Sequence, residues 1–228
     1  MKKKAAAPPM VVSEVIQLEV SGKPISASVH GKGKCAVILG PGAGGTRATP
    51  QLLAVAAALD PERYTTLLFN FPYQEAKRSF PDAGPVLENT FSVLSRYARE
   101  ERGARTVVLG GRSMSGRMAS MAVASGAVDC DGLAFLAYPL HPPGQVEKIR
   151  DAHLPSIKVP MLFLQGTRDD FARLDLLEGV VKKLGSRAEL KTFEDADHSF
   201  KTRRGAAMNS KATEAAMIAT LSSWLEKV

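Results

Sequence analysis

The 228-residue sequence predicts an α/β protein, a three-layer sandwich in which helices cover both faces of a mostly parallel sheet. Two observations carry that expectation. Short apolar runs alternate along the chain with helical patterns of roughly ten to fifteen residues, the rhythm of strands joined by crossover helices. The chain is 45% hydrophobic and 23% charged, ordinary globular values at a length that one α/β domain commonly fills. One domain over residues 11–228 is expected, preceded by a disordered basic tail at residues 1–10.

Residues 11–20 and 25–30 read as two strands free to form an antiparallel hairpin at one sheet edge. Residues 35–39 make a short buried strand, 52–59 an apolar helical patch and 64–71 a further strand. Pro85 opens a helix that carries Leu87, Phe91, Leu94 and Ala98 on one face. Strand 106–109, helix 114–124 and strand 133–138 follow, then a Pro-rich loop with a short helix near 146–150. Pro160 opens the strand 161–164, a helix covers 172–184, and 188–193 is the last strand. The terminal helix, 212–228, aligns Met217, Leu221, Trp224 and Val228 on a stripe suited to packing on a sheet. No internal repeat is visible.

Composition narrows the function classes. Lys2, Lys3 and Lys4 resemble the start of a secretory leader, but Pro8 and Pro9 interrupt the apolar stretch before it can form. No later stretch approaches the ~18–20 apolar residues of a membrane span, so a soluble, cytoplasmic protein is expected. Cys35 and Cys130 are too few for a disulfide framework or zinc site and read as buried apolar residues. The formal charge of +7 is partly in the tail and otherwise interspersed with acids, which predicts a solvated surface with some preference for anions and no nucleic-acid partner. Oligomeric state is left open.

In such a sheet, chemistry gathers in loops at the carboxyl ends of strands. Between strand 106–109 and helix 114–124 lies Gly110-Gly111-Arg112-Ser113-Met114-Ser115-Gly116, where the chain must reverse direction among small residues. Gly111 stands two residues before Ser113, and Ser115 takes the place of the second Gly in G-x-S-x-G. A strained strand-to-helix turn lifts a serine hydroxyl toward a base, which it needs to become a nucleophile. The alternative is that Ser113 caps the following helix. A candidate acid follows the strand 161–164, in Gln165-Gly166-Thr167-Arg168-Asp169, with Asp170 as runner-up. Of four histidines, His30, His141 and His153 precede that acid, and only His198, past the last strand, follows it. The order Ser113, Asp169, His198 suits residues hung from successive strand ends.

Acyl transfer also needs backbone N–H groups aimed at a developing oxyanion. Met114 N–H, just after the nucleophile, is one candidate; Ala43 N–H is the other, with Gly44 next, from Gly40-Pro41-Gly42-Ala43-Gly44-Gly45. Gly40, Gly42 and Gly45 also match G-x-G-x-x-G, so dinucleotide binding is a competing reading. Two features oppose it. The next helix starts better at Thr49-Pro50, with Thr49 as cap, than at the glycines, and Asn70 stands where an acidic residue is expected.

These stretches resemble the α/β-hydrolase superfamily, at the size of dienelactone hydrolases. They are similar more narrowly to a small branch that includes testis-expressed and chromatin-complex (NSL subunit) homologues. The narrower likeness rests on Phe69-Asn70-Phe71-Pro72-Tyr73, Gly111-Arg112-Ser113-Met114, Gly116-Arg117-Met118-Ala119-Ser120, Tyr138-Pro139-Leu140-His141-Pro142-Pro143-Gly144 and Gly166-Thr167-Arg168-Asp169. The resemblance implies an α/β-hydrolase fold with Ser113 as nucleophile, Asp169 as acid and His198 as base, and no cofactor or metal. Ser115 and Pro41 depart from the pattern at turn positions. Some members of the branch are thought to act as interaction modules, so a non-catalytic binding or scaffolding role is the alternative to a serine carboxylesterase or thioesterase.

Residues 139–159, where many hydrolases insert a large lid, form only a short segment, which predicts an open site for small or medium acyl substrates. Gly44, Tyr73, Arg112, Tyr138 and His141 are candidate lining residues. Arg112, Arg117 and Arg168 suggest a welcome for a carboxylate or phosphate on the substrate, unless they pair with surface acids.

Overall fold

Strand residues that are apolar on both faces build the centre of the molecule, which the computed structural model describes over residues 14–228. The tail at 1–10 and the start of the first expected strand lie outside the described residues. Among the described residues eight strands form one sheet: β1 (Glu14–Val20), β2 (Lys23–His30), β3 (Cys35–Gly40), β4 (Tyr64–Phe69), β5 (Thr106–Arg112), β6 (Gly132–Leu136), β7 (Met161–Gly166) and β8 (Ala188–Phe193). Their spatial order is β1-β2-β4-β3-β5-β6-β7-β8. β1 and β2 form the expected antiparallel hairpin, β2 joins β4 antiparallel, and every other pairing is parallel.

Alternate side chains of the parallel strands feed two cores. Ile38, Leu109, Phe135 and Phe163 belong to one, and Leu39, Val108, Leu136 and Leu164 to the other, all without solvent exposure. Such strands read as continuous apolar runs because neither face meets water. The first core is covered by α3 (Gly84–Glu100), α4 (Met114–Ala124) and α5 (Leu174–Leu184); the second by α1 (Pro50–Ala58) and α6 (Ser210–Leu225). The chain lays β4 on one side of β3 and β5 on the other, so the order reverses there. The loop after β3 and the turn after β5 face each other at that reversal, where ligands of open α/β sheets bind.

Several boundaries move for local reasons. The strand expected over 64–71 stops at Phe69, because Phe71 and Pro72 start a short helix, α2 (Pro72–Glu75), that the sequence reading missed. Gln74 Oε1 accepts from Phe71 N–H at 2.9 Å and closes that turn. The short helix expected near 146–150 is absent: the segment makes single turns, Gln145 N–H to Pro142 O and Lys148 N–H to Gln145 O, and its one helical turn is the 3-10 piece Leu154–Ser156. An isolated turn fixes several residues for one bond, so nothing propagates it. α6 begins at Ser210 because Asn209 Oδ1 accepts from Ala212 N–H at 3.0 Å. Val228 packs beside its stripe but lies past its end. Thr49 precedes α1 as expected, yet its hydroxyl donates to Thr46 O at 2.7 Å and caps nothing. Cys35 and Cys130 are free thiols, and burial pushes Cys130 up to about 12. No helix among the described residues is long and apolar enough to cross a membrane.

Segment 139–159 is clipped to α4 by His153, whose Nε2 lies 2.8 Å from the Ser120 hydroxyl. Burial, with the Arg117 charge adding, lowers His153 from its ordinary value near 6.5 to about 4. Between those values the unfolded chain binds more protons than the folded one, so stability falls as pH drops through the window. The expected loss from this group between pH 7 and 4.5 is about 1–2 kcal/mol after allowance for solvent. Urea unfolding at the two pH values should show it in the wild type and show a flatter dependence in His153→Gln.

Candidate active site

The turn after β5 cannot be built from ordinary residues. Gly111 has φ +131°, and a Cβ there would stand 2.3 Å from the Gly40 carbonyl oxygen of the neighbouring strand. Ser113 has φ +51° and ψ −114°, a conformation that non-glycine residues rarely adopt and that stores on the order of 1–3 kcal/mol. Its N–H donates to Leu136 O at 2.9 Å, which pins the strained residue against β6. Although Ser113 occupies the N-cap of α4, its side chain makes no capping bond. The hydroxyl instead lies 2.8 Å from His198 Nε2.

Ser115, the departure from G-x-S-x-G, is fully buried and donates to the Pro41 carbonyl at 2.5 Å. It thereby ties the start of α4 to the loop after β3, and its hydroxyl packs so close to Gly40 that a Cβ there would stand 2.3 Å from it. Ser115→Ala leaves a carbonyl without its partner and is expected to destabilise the protein by about 1–3 kcal/mol, read as a lower urea midpoint at unchanged m-value.

On the far side of Ser113, the loop after β7 carries Asp169 and the loop after β8 carries His198. The Asp169 side chain is wholly buried, and its two oxygens lie 2.9 and 2.7 Å from His198 Nδ1. Phe171 N–H donates to Oδ1 at 2.8 Å and Gln165 Nε2 to Oδ2 at 2.5 Å, so the carboxylate is held from behind. Asp170 points to solvent, which removes the runner-up from this cluster. With Nδ1–H donating to the carboxylate, Nε2 presents its lone pair to the Ser113 hydroxyl, an assignment that follows from the hydrogen-bond network. The Phe171 ring lies over the imidazole, centroids 4.3 Å apart and planes 30° from parallel.

The Gly-rich loop is held by its carbonyls. Gly42 O accepts from Gly45 N–H at 3.0 Å, Ala43 O from the Tyr73 hydroxyl at 2.6 Å, and Gly45 O from Gln74 Nε2 at 2.5 Å. In a trans peptide the N–H points opposite the preceding carbonyl, so these bonds turn Ala43 N–H and Gly44 N–H the other way. Among the described residues neither Ala43 N–H nor Met114 N–H has a protein acceptor. A Cβ on Gly42 would stand 3.8 Å from Ser113 Cβ, which sets the loop beside the serine. α1 starts at Pro50, well past Gly45, so no helix end meets these glycines as a dinucleotide site requires. Asn70 instead accepts from Arg47 N–H at 2.7 Å.

The remaining expected residues fall in varied places. Tyr73 and Gly44 line a cleft of about 420 Å³ beside Ala43. Tyr138, expected at the pocket wall, is fully buried among Phe135 and Phe163 with its hydroxyl on Arg150 O at 2.7 Å, so packing accounts for it. His141 is buried and both ring nitrogens are engaged, Nδ1 with Pro142 O and Nε2 accepting from Arg173 N–H; it backs a cleft of about 310 Å³ that includes Asp169. Arg112 donates to Ser199 Oγ at 2.7 Å and to His198 O at 3.3 Å, bracing the histidine loop. Arg168 donates to Asp195 O at 3.0 Å. Gln165, Phe171 and Gln74 escaped the sequence reading. A polar residue at the end of an apolar strand, four before the candidate acid, was the one available signal for Gln165. Among the described residues no group of three or more His, Cys, Asp or Glu side chains is placed to hold a metal ion.

Known proteins share this arrangement of elements. A dienelactone hydrolase from Anabaena variabilis superposes with a TM-score of 0.73 at 18% identity, covering 95% of this chain and 98% of that one. An α/β serine hydrolase without lid from Xanthomonas campestris gives 0.67 at 17%, covering 94% and 92%. Thermogutta terrifontis esterase 2, phosphonylated by cyclosarin, gives 0.67 at 15%, covering 96% and 95%. At these identities the likeness is one of fold. The model of a family described as an alpha/beta hydrolase domain matches residues 33–226, and the chain belongs to that α/β-hydrolase family.

Proposed function

We propose that the protein is a serine hydrolase that cleaves small or medium acyl esters or thioesters through Ser113, His198 and Asp169. The observation that carries this reading is the unbroken chain of contacts, Asp169 to His198 Nδ1 at 2.7 Å and His198 Nε2 to Ser113 Oγ at 2.8 Å. Ser113 Oγ attacks the acyl carbonyl as His198 Nε2 takes the hydroxyl proton. Met114 and Ala43 N–H groups hold the oxyanion. Collapse of the tetrahedral intermediate breaks the bond to the alcohol or thiol, which leaves with the proton from His198. A water molecule, deprotonated in turn by His198, then attacks the acyl-enzyme and frees the acid and Ser113. Asp169 keeps the imidazole in the right tautomer and stabilises its charged form.

The short segment 139–159 and the open clefts beside Ala43 and Asp169 favour compact acyl groups over long lipid chains, which need extended apolar walls. Thermogutta terrifontis esterase 2 is phosphonylated by cyclosarin, so a fluorophosphonate is a fitting probe here. The test combines fluorophosphonate labelling, followed by intact mass, with a panel of short p-nitrophenyl esters and acyl thioesters. One adduct at Ser113 and turnover on the panel are expected. Folded protein that is unlabelled and silent across the panel overturns the reading in favour of a binding module.

A further inference from the structure

One backbone donor sets the direction of every hydrogen bond that runs from α2 to the Gly-rich loop. Phe71 N–H donates to Gln74 Oε1 at 2.9 Å, so the Gln74 amide cannot turn round and its NH₂ faces the loop. That NH₂ has two hydrogens. One meets Gly45 O at 2.5 Å and the other the Tyr73 hydroxyl oxygen at 3.1 Å, with Gly42 O farther off at 3.4 Å. Because the hydroxyl oxygen already accepts, its own hydrogen goes to Ala43 O, 2.6 Å away. Burial pushes the Tyr73 hydroxyl up to about 12, which keeps that hydrogen in place at neutral pH. The ring is fixed as well: it is buried and stacked on Phe71, planes 19° from parallel and centroids 6.1 Å apart.

Glu75, the next residue, secures the far end of the same loop. Its Oε1 accepts from Ser26 N–H at 3.0 Å and from Asn70 Nδ2 at 2.9 Å, and Asn70 Oδ1 accepts from Arg47 N–H at 2.7 Å. Three consecutive side chains of one helical turn therefore hold the loop from Gly42 to Arg47. Such tethers are needed, because Ala43 and Gly44 are exposed and packing does not fix them, and glycines leave the backbone free to swing. An oxyanion hole works only if its N–H groups are in place before charge develops. Gly44 N–H lies opposite Ala43 O in one peptide plane, so the Tyr73 bond orients that plane and, by polarising the carbonyl, strengthens the N–H on its other side. Ala43 N–H is attached to the same α-carbon that carries this peptide, and a swing of the plane disturbs it too.

We propose that Tyr73, aimed by Gln74, is a positioning residue for oxyanion stabilisation: its hydroxyl holds the Ala43–Gly44 peptide so that the loop's N–H groups meet the developing charge. The inference rests on Ser113 acting as the nucleophile beside this loop. The test, in the full-length protein, removes one oxygen atom. Tyr73→Phe keeps the ring and its stacking, and is expected to lower kcat on a short p-nitrophenyl ester by about 10- to 100-fold while KM stays within about twofold. Two matched inhibitors separate positioning from general damage. An alkyl trifluoromethyl ketone adds to a serine and places a hemiketal oxyanion in the hole, whereas the corresponding methyl ketone only binds. Tyr73→Phe should weaken the trifluoromethyl ketone by about the factor lost in kcat/KM and leave the methyl ketone unchanged. Gln74→Glu reaches the same end by another route: the carboxylate still accepts from Phe71 N–H but has no hydrogen to give, so the Tyr73 hydroxyl donates to it and deserts Ala43 O. That variant should lose at least as much kcat and show the same split between the two ketones, and it carries the test if Tyr73→Phe folds poorly. A kcat within twofold of wild type in Tyr73→Phe, or a variant that weakens both ketones alike, overturns the role of Tyr73 while leaving Ser113 in place. A wild type that is silent on every ester, unlabelled by fluorophosphonate and indifferent between the two ketones overturns both readings together.

Discussion

Ser113→Ala is expected to lower kcat on a short p-nitrophenyl ester by about 10⁴ to 10⁶-fold and to abolish fluorophosphonate labelling, while the thermal midpoint moves by no more than a few degrees. The size of the loss follows from the division of labour at the site. Ser113 Oγ is the only group that would form the acyl bond, and the histidine and carboxylate behind it have nothing to activate once it is gone. The fold should survive because the hydroxyl takes no part in capping α4: the strained backbone is held by Ser113 N–H on Leu136 O and by Ser115 on Pro41 O, both untouched by the change. A labelled Ser113→Ala protein, or one that keeps more than about a hundredth of wild-type kcat, would place the reaction elsewhere.

How much of this was legible beforehand depends on the range of the interactions. β3, β5, β6 and β7 announce themselves because each is apolar on both faces, and the helices between them because Leu87, Phe91, Leu94 and Ala98, or Met217, Leu221 and Trp224, recur at helical spacing. Ser113, Asp169 and His198 stand out by their order after successive strands, and the fold brings those three side chains within hydrogen-bonding reach. The supporting groups were hidden for a common reason. Gln165 and Phe171 bond Asp169 from within four residues and Gln74 reaches Gly45 across the chain, but a lone glutamine or phenylalanine has no spacing rule that reveals such a bond. Ser115 looked like damage to a motif, since its meaning lies in a carbonyl far away in the chain, at Pro41. Tyr138 and Thr49 failed in the opposite sense: each has the right residue type at the right place, yet packing claims the ring of one and a turn claims the hydroxyl of the other.

Asp169→Asn should cost about 10⁴-fold in kcat with little loss of stability, and the route to that loss can be traced atom by atom. The wild-type carboxylate receives three donors, Phe171 N–H, Gln165 Nε2 and His198 Nδ1–H. An asparagine offers one oxygen and one NH₂. The Phe171 donor is fixed backbone, so the oxygen must stay on it, and the NH₂ then occupies the position that faced Gln165 and His198. Gln165 can adapt: its Oε1 is buried without a partner, and a flip of its amide would let that oxygen accept from the new NH₂. The flip leaves one end of the Gln165 amide unpartnered, as in the wild type, so no buried group is newly orphaned and the thermal midpoint should move little. His198 adapts as well, but in the harmful direction. With the NH₂ in the nearer place, 2.7 Å from Nδ1 against 2.9 Å for the oxygen, Nδ1 accepts rather than donates, which moves the proton to Nε2, and Nε2–H can no longer take one from Ser113. Measuring kcat and the unfolding midpoint together separates this from simple damage. A variant that loses less than about tenfold in kcat would show that Asp169 does not set the tautomer, and one that is slow because it is unfolded would show that Gln165 does not flip.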